Sequence, residues 1–352
     1  MTISEPITSG DPMAGVFSAE STVAICHRVG KHFLPSGLLR HLDRQRGDPP
    51  SSRLDGELRQ RWLDSALDKF DGRYDYNTYL ALPVFDLPNP AVRCVDPRPA
   101  AANRDLLVCW LLTDILDFEL RLDNDADDRR LPLLRPNPEL RTKRAHLALR
   151  AVAAPAQRLL GVCLDPPGDP HTAAGLLTQA VTDRSTTAQR HWWPLTMMPV
   201  YRAHDEWLFI RVLQSFEVTF AQLAVLLAHA VDEINTGRND QAIAAIGEAT
   251  ALLGETRPLF SLIATMQRQA FGEFPRLHRR RQRHPISRLQ TRRSPRRRPA
   301  AVCPPHVGCL RRHAPDTASG YPQRAANPAT RHRRHRRRPT RAAAMACPRG
   351  LR

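Results

Sequence analysis

The chain has 352 residues, 42% of them hydrophobic, enough for one large domain or two ordinary ones. Its formal charge of +17 suggests a nucleic-acid binder, but the charge is unevenly placed. From Arg276 to Arg352 there are 23 Arg, no Lys and one acid, Asp316, a net of +22; the residues before it hold 29 basic and 34 acidic groups, a net of −5. The body is therefore mildly acidic, and the whole-chain charge does not describe it.

The seven cysteines form no CxxC pair, which fits reduced cytosolic thiols better than a disulfide framework or a zinc site. No signal peptide is expected, because Glu5 and Asp11 stand in an N-terminus without an apolar run. The longest uninterrupted apolar run, Leu106 to Leu112, is too short to span a bilayer. The expected location is the cytoplasm, with no membrane partner.

Residues 1–50 are poorly periodic and read as an irregular segment. A helix is expected near 55–70, with Asp55 as cap and Leu58, Trp62, Leu63, Ala66, Leu67 and Phe70 on one face. Next comes Tyr74-Asp75-Tyr76-Asn77-Thr78-Tyr79-Leu80, which holds three of the five tyrosines. Such a cluster suits the edge of a core as well as a binding surface. The proline-rich stretch 83–104 reads as a connector, and Leu106–Leu122 as an apolar helix. The acidic run Asp123 to Asp128 lacks the spacing, Gly and terminal Glu of a calcium-binding EF-hand loop. A further helix is expected over 138–160, followed by a Pro/Gly loop near 165–170.

The strongest pattern runs from Tyr201 to Phe274. Phe209, Val212, Leu213, Phe216, Phe220, Leu223, Leu227, Val231 and Ile234 recur at helical spacing, an apolar stripe of more than six turns. Asn235-Thr236-Gly237 ends that helix, with Gly suited to a left-handed terminus. A second helix is expected from about Asp240 to Leu253, closed by Gly254, with Ile243, Ile246, Ala249, Leu252 and Leu253 on one side. A third opens at Thr256-Arg257-Pro258 and carries Leu259, Leu262, Ile263, Met266, Phe271 and Phe274. These helices are expected to bury their stripes against each other. Strand-like alternation is nearly absent and no nucleotide-binding glycine pattern or HExxH occurs, so the body reads as all-α, a helical bundle.

His204-Asp205-Glu206, then Leu208-Phe209-Ile210, with Gln214 and Glu217 farther along, resembles the tryptophan 2,3-dioxygenase family. Tyr76-Asn77-Thr78-Tyr79-Leu80 resembles that family's upstream YxxYL element. The stretch from Met266 to Phe274 is similar to its M-x-P-x-x-F-x-x-F segment, with Arg268 in place of the proline. The likeness covers about 201–274 and 74–82, leaving 83–200 as a long insertion relative to the family. It implies a helical, usually tetrameric enzyme that uses heme b and O₂ to open the indole ring of L-tryptophan, giving N-formyl-L-kynurenine. Phe209 would then pack on the indole, and Tyr76, Tyr79 and Leu80 would line the substrate pocket. The family's distal histidine falls at Leu213, which cannot hydrogen-bond an indole N–H or bound oxygen. A secondary-metabolite relative that oxidises aromatic amino acids differently is an alternative. His204, Asp205 and Glu206 fit a capping or packing role at a helix start as well as a ligand role. His146 and His229 read as surface or interhelical polar residues.

The tail, 276–352, has too little apolar surface to fold and reads as disordered. Synonymous codons for Arg276 to Thr291 can be chosen that, read one base later, give DFTEGASAIQSRGYK. That string is similar to the family segment after its last aromatic helix, where SGFQS precedes a basic substrate-binding residue. The expectation is a frameshift near Pro275, with the proximal heme histidine lost. His332 and His335 lie in an arginine run that suits non-specific binding of nucleic-acid phosphates, the competing reading of the chain.

Overall fold

The structure is a computed structural model that describes residues 18–47, 53–73, 75–91, 95–124, 128–164 and 169–270. The expectations for Tyr74, Phe271, Phe274 and the 276–352 tail lie outside the described residues. Among the described residues the chain is helical with no strand, in keeping with the all-α expectation. The helices are α1 (Ala19–Val29), α2 (Ser36–Gln45), α3 (Arg53–Ala66), α4 (Tyr76–Tyr79), α5 (Pro97–Asn124), α6 (Pro138–Pro155), α7 (Pro170–Arg184), α8 (Thr187–Trp192), α9 (Asp205–Asn235), α10 (Asn239–Gly254) and α11 (Arg257–Ile263).

The centre is α5, packed against α6, α7 and α9. Leu107, Leu111, Leu112 and Ile115 are fully buried there, each worth about 1.5–3 kcal/mol of transfer free energy. The helix begins nine residues before the expected Leu106. Pro97 and Pro99 fall in its first turn, where a missing N–H costs little, and Asp96 accepts a hydrogen bond from the Arg98 N–H. The segment 83–200 thus supplies the central helix of the core.

The N-terminal segment corrects the sequence reading. Residues 19–45 form α1 and α2, and Cys26, Leu38 and Leu42 join Trp62, Leu63, Leu67, Trp192 and Met198 in a second buried cluster. Gly30 (φ 86°) lets this segment cross the chain before α9: a Cβ there would lie 2.2 Å from the Val200 carbonyl oxygen, and the Lys31 N–H donates to the Pro199 oxygen at 2.6 Å. Helix α3 ends at Ala66, short of the expected 70; its Trp62, Leu63 and Ala66, and Leu67 just beyond it, are buried as expected, whereas Phe70 is exposed.

Helices α9 and α10 end near the expected positions, but α11 stops at Ile263, before the expected Met266, and the buried faces differ from those expected. Gly237 (φ 76°) ends α9 with the Arg238 N–H bonded to the Glu233 oxygen, the long bond of a Schellman turn. Gly254 is the last residue of α10, and the cap beyond it, Glu255, is right-handed, so no left-handed glycine closes this helix. The stripe expected to be buried on α9 is turned outward over its second half: Phe220, Leu227, Val231 and Ile234 are exposed. Instead, Asp205, Glu206, Arg211, Gln214, Ser215 and Thr219 are fully buried. Helix α9 is long and apolar enough to cross a membrane by length and composition, and 61% of that window is buried inside the fold.

Candidate functional site

The tyrosine element returns to α9 across more than 120 residues. Helix α4 is a single turn, capped by Asp75, whose carboxylate accepts from the Thr78 N–H at 2.8 Å. It is pinned from below by Lys31, whose buried ammonium donates to Asp68 at 2.7 Å and to the carbonyls of Ser65 and Thr78 at 3.1 Å. A carboxylate and two carbonyls thus surround the buried ammonium.

Three of the four candidate substrate residues, Tyr76, Tyr79 and Leu80, then meet the stretch of α9 that carries the fourth, Phe209. The Tyr79 ring lies 6.5 Å from the Phe209 ring. The Tyr76 hydroxyl donates to Glu217 Oε1 at 2.9 Å, and the buried Leu80 offers its carbonyl to Gln214 Nε2 at 2.8 Å. Leu213, one turn after Phe209 and one before Glu217, is partly buried on the same helix face. The result is an aromatic wall, with Tyr76 half exposed at its edge.

Two polar systems hold this wall in place. Glu206 accepts from the Val200 N–H (2.8 Å), the Tyr201 N–H (2.7 Å) and the Tyr79 hydroxyl (3.3 Å). Burial pushes its carboxyl up to about 7, against the pull of those donors. Burial and the neighbouring Glu206 likewise hold the Tyr79 phenol well above its ordinary value. Arg211 donates through Nε to Asp114 (2.7 Å) and through Nη1 to Thr196 and Gln214 (2.8 Å each), over the Trp110 ring at 4.6 Å. A chain of hydrogen bonds therefore runs from Asp114 through Arg211 and Gln214 to the Leu80 carbonyl.

His204 and Asp205 belong to a third, deeper group. Arg144 bridges Glu119 (2.9 Å) and Asp205 (2.7 Å) and donates to the Thr265 hydroxyl and carbonyl at 3.1 Å. His204 Nε2 lies 3.3 Å from the other Glu119 oxygen, its ring stacked on Phe118 at 4.5 Å. Nearby cations and hydrogen bonds hold Glu119 below the usual carboxylate range despite its burial. His204 thus packs and makes no side-chain cap. The motif His204-Asp205-Glu206 acts here as the joint between α5, α6 and α9.

A heme b site was tested against these residues. Leu213 places hydrocarbon where the family pattern has a nitrogen, and His204, whose buried Nδ1 has no hydrogen-bond partner, is stacked on Phe118 in the deeper group. His27 faces the Met197 carbonyl at 3.0 Å, His146 the Thr142 carbonyl, and His229 pairs with Glu233. The described residues of the wall supply no axial ligand and do not fit a heme. No group of three or more metal-ligating side chains occurs among the described residues. The acidic run is partly ion-paired, Asp123 with Arg141 and Asp128 with Arg130.

Glu119, Arg144, Asp114 and Arg211 escaped the sequence reading. The first three lie in the segment taken as an insertion, and a charged residue interrupting a helical pattern carries no local sign of the partner that lets it be buried. No family model matches the chain, and neither a curated protein nor a solved structure matches it.

Proposed function

We propose that the body is the substrate-binding part of an oxygenase of the tryptophan 2,3-dioxygenase type, specific for an aromatic amino acid such as L-tryptophan, and that this chain alone does not complete the reaction. The observation that carries it is the meeting of Tyr79 with Phe209, of Tyr76 with Glu217 and of Leu80 with Gln214 along the first half of α9. In that reading Phe209 and Tyr79 hold the indole by ring contact, worth about 0.5–1.5 kcal/mol per aromatic pair beyond area burial. Glu206 and Gln214 act as positioning residues, fixing Tyr79 and Leu80 through their hydrogen bonds. The heme and the carboxylate-binding basic residue would belong to the in-frame sequence replaced after Pro275.

Two measurements test this. L-Tryptophan titrated into the chain is expected to bind weakly, and Phe209→Ala to abolish that binding with unchanged helical circular dichroism. Restoring the reading frame after Pro275 is expected to add a sharp Soret band with hemin and formation of N-formylkynurenine, both absent from the chain as it stands. A chain that binds heme stoichiometrically as written, through a histidine of the body, would overturn the reading.

A further inference from the structure

The outward faces of α9 and α10 are the largest feature that the aromatic wall does not use. Of the twelve large hydrophobic side chains exposed among the described residues, eight lie on α9, α10 and α11: Phe220, Leu227, Val231, Ile234, Ile243, Ile246, Leu253 and Phe260. Their exposures run from 43% to 69%. Together they leave apolar surface on the order of 800 Å², above the largest patch of a typical monomer and near the per-partner share of a standard interface.

The residues form one face. The helices make a hairpin across 236–238, and Leu223 and Leu226 of α9 meet Ala249 and Leu252 of α10. At about 100° per residue, the outward stripe of α9 sits roughly a quarter turn past its contact residues. The stripe of α10 is offset by a similar angle in the same rotational sense. In an antiparallel pair that offset brings both stripes to the same side. Phe260 of α11 extends this side by packing on Phe216, which in turn stacks on Phe220.

We propose that this face is a two-fold interface in which the α9–α10 hairpins of two copies of the chain pack into a four-helix arrangement. A second copy fits for two reasons. The face is self-complementary, since Asp232 and Glu248 fall on the far sides of their helices and place no like charges against each other across a two-fold axis. Its area matches one half of a stable interface. The inference does not rest on the aromatic-substrate reading.

The test is the mass of the full chain by light scattering after gel filtration, with nuclease treatment and high salt to keep the arginine tail from bridging nucleic acid. The wild-type chain is expected at twice 39.7 kDa. Leu227→Glu and Ile246→Glu are each expected at the mass of one chain, with unchanged helical circular dichroism. Should either carboxylate variant lose helix, Leu227→Gln and Ile246→Ser test the same face with smaller perturbation. A wild-type monomer at micromolar concentration overturns the proposal, as does a dimer that persists in the folded double variant. So does a monomeric chain that floats with phosphatidylcholine vesicles, which would make the face a lipid contact.

Discussion

The two halves of α9 follow opposite rules. From Asp205 to Thr219 the helix buries charge: Asp205, Glu206, Arg211 and Gln214 are fully enclosed, and each has a partner on another element or the preceding loop. From Phe220 to Asn235 it exposes hydrocarbon, with Leu227, Val231 and Ile234 more than half accessible. The stripe from Phe209 to Ile234 is continuous in sequence, yet its surroundings divide it. Near its start the tyrosine element and α11 cover it; farther on, α10 reaches Leu223, and Phe220, Leu227, Val231 and Ile234 stay exposed. A hydrophobic stripe marks a face that needs cover without naming what covers it, and partners decide whether a charge can be buried.

Arg144→Met attacks the buried-charge half directly and has the largest expected effect. It leaves Glu119 and Asp205 enclosed without their cation, so the expected loss is about 3–5 kcal/mol in urea denaturation. A loss below about 1 kcal/mol would mean that water reaches this joint and that the contrast between the halves is overstated.

The next test uses acid. His27 packs against Trp207 at 5.0 Å, and burial lowers its imidazole from the ordinary 6.5 to about 4. Asp114 raises it, while Arg130 and Arg211 lower it further. As pH falls the unfolded chain takes up this proton first, so stability is full above about 6.5 and declines toward pH 4, by about 3 kcal/mol in all. His27→Gln keeps a donor for the Met197 carbonyl and is expected to flatten that part of the stability-against-pH curve. An unchanged slope would assign the acid sensitivity to other groups.

The smallest effect lies at the boundary between the halves. Glu217→Gln retains an acceptor for the Tyr76 hydroxyl and is expected to cost about 0.5 kcal/mol or less, since the pair is exposed. Burial, and then the bond to Glu217, raise the Tyr76 phenol above its ordinary value. The variant should therefore lower that phenol's titration, read by phenolate absorbance. No change would detach Tyr76 from α9 in solution.

Much of the helical architecture was legible, because α9 and α10 repeat large apolar residues at helical spacing and end in recognisable turns. Helices α1 and α2 were not: α1 buries only Thr22, Val23 and Cys26, and α2 only Leu38 and Leu42, too few to set a period. The start of α5 was hidden by Pro97 and Pro99, which read as a connector unless placed in a first turn. At the candidate site, the sequence pattern singled out the residues that do meet across the fold. Asp114 and Arg211, which hold Leu80 through Gln214, were not legible, because they are far apart in the chain and neither shows its partner until both are placed.

The joint at the start of α9 also limits how this chain can be shortened. Glu119 and Arg144 come from the segment between the tyrosine element and α9, while the charge they hold, Asp205, belongs to α9 itself. A chain joining Leu82 directly to Tyr201 would carry Asp205 without its cation. Deleting 97–155 to recover a minimal scaffold would fail for the same reason.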